Sequence, residues 1–484
     1  MDWYWYLVIG LCSIVTILLA VAIIRTFLIK VEPVAKPDFS EFTPKMQEYA
    51  ENLSRMLRYK TIASISGTEN EFIGMQAEME KMFPELHALA KKKVFPNNSL
   101  LFLWKGTGKK DPIVLMAHQD VVPADENVWS YPPFEGTIEN GKIYGRGSFD
   151  TKVTVFAIMQ AINELIKEGF VPEGDVYLAF ASDEEVSGHG AKDTAEYLKQ
   201  IGVKPAFVLD EGGAVVRDSL PSIKIPMAFV GVVEKGYVNM MFKAKSEGGH
   251  SSTPPRNTPI ARLAMFVNDV ERHFPLKTKM IPSVRAIFAN AAPGMSFPYR
   301  FLFGNLWLFK GLMTGLLPKI SPFGRALLST TIAFTMSSGS DAYNVIPSEA
   351  NVIANIRIHP IQNVDDTYRV LSKIAAKYDI ETIILESEDA SKIVDTRSKA
   401  YQSIERQIRK NFPEALVSPY IITGATDCRH YALITDDNLR FSPVIISDED
   451  LGKMHGKDET LEIESLYRAV NFYKSLIRDY SVDK

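Results

Sequence analysis

The chain has 484 residues, a net charge of −4 and a hydrophobic share of 46%. That length accommodates more than one domain around a sizeable core. The charge balance lacks the basic footprint of a nucleic-acid binder, and the apolar content excludes a mostly disordered chain.

Residues 3–24 carry no charge. As a helix they would run about 33 Å, enough to cross a bilayer core. Trp3, Tyr4, Trp5 and Tyr6 stand at one end as interfacial aromatics do, and Arg25 and Lys30 close the other. A single-pass anchor over residues 1–30 is expected. The competing reading is a signal peptide cut after Ala20-Val21-Ala22. Against it, no Lys or Arg precedes the run, and the run continues past that site. A linker with Pro33 and Pro37 follows over residues 31–43. Arg25, Lys30 and Lys36 after the helix would place the body in the cytoplasm by the positive-inside rule. That rule weakens beside a long domain, and the body is expected on the extracytoplasmic or lumenal side.

Residues 44–59 have helical spacing. Short apolar runs at 113–117, 176–181 and 206–209 predict buried strands. Helical patterns at 153–166 and 191–200 lie between them. Strands alternating with helices predict an α/β domain with a mostly parallel sheet, built from residues 44–230 and resumed at 391–484. The intervening 231–390 reads differently. It offers strands at 232–243, 351–359 and 381–387, with helices at 259–274 and 364–378. These make a ferredoxin-like α+β lid if one more strand lies between 274 and 344. An apolar tract at 297–317, charged only at Arg300 and Lys310, interrupts it.

Each of the first three strands runs into a polar cluster: His118-Gln119-Asp120, Asp183-Glu184-Glu185 and Asp210-Glu211-Gly212-Gly213. In open α/β sheets, ligands bind beyond the carboxyl ends of the strands. Three clusters of acid and imidazole therefore converge on one sheet edge. His118 and Asp120 are two apart and point the same way on an extended chain. The carboxylate can then fix the tautomer of a metal-binding imidazole. Asp150 follows Gly145-Arg146-Gly147 and precedes a long helix. It is either a helix cap or a carboxylate shared by two cations. Glu184 and Glu185 diverge, so one can ligate while the other faces substrate. A late imidazole, His455, follows in Met454-His455-Gly456. The two cysteines, Cys12 and Cys428, cannot build a Cys-rich site. Nitrogen and oxygen donors without sulfur suit zinc, with manganese or cobalt as alternatives.

These stretches resemble the co-catalytic zinc exopeptidase and deacylase family that includes aminoacylase, carboxypeptidase S and N-fatty-acyl-amino-acid synthase/hydrolase. The resemblance extends from about Pro44 to the end. It also includes Glu234-Lys235-Gly236, Gly249-His250-Ser251-Ser252, Asn344-Val345-Ile346-Pro347 and Arg357-Ile358-His359-Pro360. It implies two zinc ions, one held by His118, Asp150 and Asp210, the other by Asp150, Glu185 and His455. It implies Glu184 as general base and Asp120 as the group orienting His118. His250, Asn344, Arg357, Gly424 and Arg429 would bind substrate, with His250 supplied by a partner subunit in a homodimer through the lid.

The implied reaction is hydrolysis of the amide of an N-acyl amino acid, with a fatty acyl group and reversibility in view. The same site would suit the C-terminal peptide bond of a small peptide. Either substrate carries a free carboxylate. Residues 305–309 and 329–334 look like the fatty-acyl enzyme, and the 297–317 tract would line an acyl groove or touch lipid, the competing reading being a buried helix pair or a dimer interface. The competing class is a catalytically inactive, membrane-tethered binding or scaffold member. That class predicts lost ligands, yet all those residues are present.

Overall fold

The computed structural model describes residues 3–30, 37, 42–219 and 223–482. Most of the expected linker at 31–43 lies outside them. The main sheet has ten strands. Its centre, Val176–Ala181, Ile113–His118, Phe207–Asp210 and Asn438–Arg440, is parallel. Antiparallel partners join on both sides, Leu100–Trp104 against Val176–Ala181 and Met227–Glu234 against Asn438–Arg440. The sheet is thus mixed, with five parallel and four antiparallel pairings, rather than mostly parallel. The added strands come from stretches too short or too uniformly apolar to betray their direction.

Alternation sets what covers each face. Ile113, Leu115 and Ala117 join the large core with the helix Lys152–Lys167. Val114 and Met116 join a smaller core with the helix Gly190–Gln200. With both faces buried, the strand Ile113–His118 is apolar throughout until His118. That imidazole marks the carboxyl edge where the polar loops gather.

The residues expected as one strand from 232 form two. Met227–Glu234 is buried along its whole length within the main sheet. Gly236–Lys245 alternates buried and half-buried residues in a second, four-stranded antiparallel sheet. Its order is Thr331–Ser338, Glu349–Ile358, Gly236–Lys245, Glu381–Glu388. Thr331–Ser338 occupies the gap between 274 and 344, and the helices Pro259–His273 and Val364–Ala376 pack on a separate core around Phe242, Phe266 and Leu371.

The N-terminal helix Trp3–Leu28 is long and apolar enough to cross a membrane by length and composition. Nearly all of it is exposed, and only Ala22 and Thr26 are buried. The apolar tract forms the helices Phe297–Gly304 and Leu306–Ile320.

Candidate metal centre and active site

His118 ends its strand with the ring fully buried. Its Nδ1 lies 2.9 Å from the Asp120 carbonyl oxygen and 3.3 Å from Asp120 Oδ1. Its Nε2 lies 3.0 Å from Asp150 Oδ1 and 3.2 Å from Glu211 Oε1. The other oxygen of Asp150 is 3.0 Å from His455 Nε2, which also meets Glu185 Oε2 at 3.1 Å. Asp150 thus stands between two imidazoles, one oxygen toward each.

Asp120 holds the glutamate pair as well as the imidazole. Its two oxygens accept from the backbone amides of Glu184, at 3.2 Å, and Glu185, at 3.1 Å. Those residues begin a short 3₁₀ turn, Glu184–Val186. Asp183 ties the turn down by accepting from the amides of His189 and Gly190. A Cβ on Gly188 would fall 2.1 Å from the Asp183 carboxyl, so this loop needs glycine there.

Asp150 sits on a loop fixed by Glu459. The buried Glu459 carboxylate accepts from the amides of Gly147, Phe149 and Asp150 at 2.7–3.1 Å and pairs with Arg146 at 2.6 Å. Arg146 also donates to the Gly456 carbonyl at 2.7 Å. One carboxylate therefore locks the loop carrying Asp150 to the turn carrying His455. Sequence reasoning gave Glu459 no role, because its partners are backbone amides more than 300 residues away.

Asp210 departs from expectation. Its Oδ2 accepts from the Cys428 amide at 2.8 Å, which fixes the 426–429 loop. The next residue, Glu211, is the one beside His118. Neighbouring side chains leave opposite sides of a strand, so a one-residue step exchanges which acid faces the centre. The available signal was that Glu184 too lies past the tip of its strand rather than on it.

The acids outnumber the bases. Burial, with Glu211, Asp427 and Asp150 nearby, pushes Glu184 well above the usual carboxylate range. Burial, with Asp150, lifts Glu211 to about 7. Burial opposes a charge on His118, yet Glu211, Asp120 and Asp150 drive its pKa well up. Hydrogen bonds to Asp150 and Glu185 raise His455 to about 10. Ligand atoms of His118, Glu184 and Glu211, and of His118, Asp150 and Glu185, fall within 4.8 Å of one another. Glu185 Oε1 is buried with no hydrogen-bond partner. Crowded acids, two imidazoles and an orphaned oxygen fit divalent cations with nitrogen and oxygen preferences.

The description "Peptidase family M20/M25/M40" matches residues 114–479. The chain belongs to the M20 peptidase family. Among M20 and related proteins, it is 34% identical over 465 residues to the probable carboxypeptidase S-like 2 of Dictyostelium discoideum, covering 93% of this chain and 88% of that one. It is 33% identical over 489 residues to the N-fatty-acyl-amino acid synthase/hydrolase PM20D1 of Xenopus tropicalis, covering 96% and 93%. In fold it is similar to the M20 metallo-carboxypeptidase Sso-CP2 of Sulfolobus solfataricus, at TM-score 0.66 and 20% identity, covering 90% and 100%. It is also similar to human carnosine dipeptidase 1, at TM-score 0.62 and 16% identity, covering 95% and 99%. M20 membership makes this chain a hydrolase of the peptidase type.

The remaining expected site residues form two groups. Arg357 and Arg429 both lie over the Tyr237 ring, 6.0 and 5.7 Å from its centroid. Arg429 is already paired with Glu388 at 2.7 Å and Glu234 at 3.3 Å. Among the described residues, no carboxylate lies within ion-pair distance of Arg357; its Nε donates to Asn355. Gly424 is exposed on the loop before Arg429. His250 and Asn344 sit together on a two-stranded ribbon, Gly249–His250 with Val345–Ile346, where the Ser251 amide donates to the Asn344 carbonyl. Both are exposed, and the His250 ring bonds to Ser252 rather than to any group of the centre.

Proposed function

We propose that this chain hydrolyses an amide bond adjacent to a free carboxylate, with N-acyl amino acids as its substrates and fatty acyl groups preferred. The observation that carries the reading is Asp150 set between His118 and His455, with Glu184 alongside. His118, Asp150 and Glu211 would hold one zinc ion, and Asp150, Glu185 and His455 the other. Manganese or cobalt would suit the same donors. Two such ions, when bound, supply Lewis-acid polarisation and lower the pKa of a water.

Glu184 does the proton work. Burial and neighbouring acids raise its pKa above the ordinary carboxylate range, which makes it a stronger proton acceptor. It takes the proton of the attacking water and returns it to the leaving amine. Asp120 is a positioning residue, because it holds His118 through the ring and Glu184 through its amide. Arg357 would clamp the substrate carboxylate, because Arg429 is committed to Glu234 and Glu388. Gly424 and the 424–429 loop would border the carboxylate end.

The ribbon bearing His250 and Asn344 would serve a second copy of this chain, with the second sheet acting as a lid and dimer contact. Support comes from its exposure, Tyr343 and Val345 included. The chain's relatives include both an N-fatty-acyl-amino acid synthase/hydrolase and a carboxypeptidase S-like protein, so a C-terminal peptide bond is the second reading. The N-terminal helix would anchor the enzyme in a membrane with the body on the extracytoplasmic or lumenal side. Hydrolysis of N-oleoyl-phenylalanine against a short dipeptide, each with and without chelator, tests the proposal. Cleavage of neither substrate, or cleavage untouched by chelation, would refute it.

A further inference from the structure

The N-terminal helix does not simply project from the body. Its last turns dock on the helix Phe297–Gly304 through a built polar contact. The Asn305 side chain is fully buried. Its Nδ2 donates to the Ala22 carbonyl at 3.1 Å, to Thr26 Oγ1 at 2.9 Å and to the Phe301 carbonyl at 2.9 Å. Its Oδ1 accepts from Trp307 Nε1 at 3.0 Å. Asn305 thus finds partners on the N-terminal helix that it would lose if that helix were removed. The Ile29 side chain packs onto Gly304 beside it, where an added Cβ would fall 2.5 Å from Ile29 Cδ1. Phe27 and Phe297 pack with ring centroids 5.4 Å apart.

The depth of this contact follows from helix geometry. Residues 3–21, which lie before it, span about 28 Å at the α-helical rise, close to the thickness of a bilayer core. With Trp3 at one interface, Ala22, Thr26 and Asn305 would fall where the hydrocarbon meets the headgroups on the other side. The helix Leu306–Ile320 continues from that level. Its inner face buries Leu306, Met313 and Leu317. Its outer face exposes Trp307, Leu312, Leu316 and Ile320, the last two 40% and 64% accessible. Lys310 and Lys319 stand on the exposed side among them. An apolar stripe with tryptophan and interspersed lysines is the composition of a helix lying in the plane of a membrane interface.

We infer that the pair Phe297–Gly304 and Leu306–Ile320 is a membrane-embedded platform, with the acyl layer of the bilayer covering its outer face beside the anchor. This rests on the proposed retention of the N-terminal helix. The anchor is then one wall of a fixed two-part mount, not a loose tether. An amphiphilic substrate held in the same leaflet would reach the enzyme from the membrane.

The test uses the full chain, Cys12→Ser, in phosphatidylcholine–phosphatidylserine vesicles. Leu312→Cys and Leu316→Cys carry a fluorophore, with Lys199→Cys on the main body as the aqueous control. Doxyl-labelled phosphatidylcholine is expected to quench the probes at 312 and 316 several-fold more than the probe at 199, with iodide showing the reverse order. Iodide quenching at 312 equal to that at 199, without doxyl quenching, would overturn the inference. So would shielding from both quenchers with concentration-dependent cross-linking through residue 312, because a second copy would then cover the face. The mass of the purified chain reports separately whether the helix is retained. Turnover of a water-soluble N-acetyl amino acid reports separately on the proposed reaction, which the fluorescence does not require.

Discussion

Asp150 presents one carboxylate oxygen to His118 and the other to His455, each 3.0 Å from an imidazole Nε2. Those imidazoles lie 337 positions apart in the numbering, yet one acid joins them. Glu459, beneath the Asp150 loop, makes the junction rigid by accepting from three amides and pairing with Arg146.

The exchange of Asp210 for Glu211 separates two variants. Glu211→Gln is expected to lose bound metal and to lower kcat/KM by at least about 10²-fold, as the loss of one charged group at a metal centre does. Asp210→Asn keeps its metal but weakens the bond that fixes the 426–429 loop, costing about 1–3 kcal/mol of stability. Metal content by mass spectrometry, beside a thermal melt, distinguishes them. Equal metal loss in both variants would contradict the placement.

Metal loading should release protons. Without cations, hydrogen bonds to Asp150 and Glu185 hold His455 up to about 10, and burial lifts Glu211 to about 7. At neutral pH His455 carries a proton and Glu211 carries one in part, and an incoming ion must displace them. Affinity therefore rises with pH across this range and falls on acidification. Titration calorimetry in buffers of different ionisation enthalpy should give heats that depend on the buffer. Buffer-independent heats would count against these donors.

Arg357 and Arg429 should behave differently. Arg357→Ala is expected to raise KM about tenfold or more with a smaller change in kcat, since it removes the proposed clamp on the substrate carboxylate. Arg429→Ala strands Glu234 and Glu388 and should lower stability first. Steady-state kinetics together with melting temperatures read both effects.

Away from the centre, Glu164 ties the chain ends together through Lys45 and Lys474 at 2.8 and 2.7 Å. Burial opposes its charge, but these lysines and Tyr49 outweigh burial and depress its pKa to about 2. A depressed carboxyl stabilises the fold above its unfolded pKa and loses that contribution as pH falls through the folded one. Glu164→Gln should therefore cost about 2–3 kcal/mol at pH 7, and the gap should narrow toward about pH 2. Denaturant midpoints at neutral and acidic pH measure it. A gap of constant size would show that charge is not the cause.

The legible parts of the sequence were those with strong local patterns. The strand Val176–Ala181 begins and ends where its apolar run does, and the helix Lys152–Lys167 lies within one residue of its periodic stretch. His118, Asp120, Glu184 and Glu185 stood out because each follows a buried apolar run, and Asp150 because it precedes a long helix, whereas His455 was singled out through the family resemblance. Less legible was anything fixed by a distant partner. Met227–Glu234 joins the main sheet because it is buried on both faces, which leaves no alternation to read. Glu459 acts on amides across the chain, and the choice of Glu211 over Asp210 turns on one residue of strand register. The role of Asn305, inside the apolar tract, rests on its partners Ala22 and Thr26, 283 and 279 positions away, which no local pattern reveals.

Zinc titration of the metal-free enzyme, followed by hydrolysis of N-oleoyl-phenylalanine, probes the proposed two-ion centre itself. Activity should level off at two ions per chain, and a Glu184→Gln variant should bind the same two ions while kcat falls by about 10²–10⁴-fold. Activity that levels off at one ion, persists without metal, or survives in Glu184→Gln would contradict it.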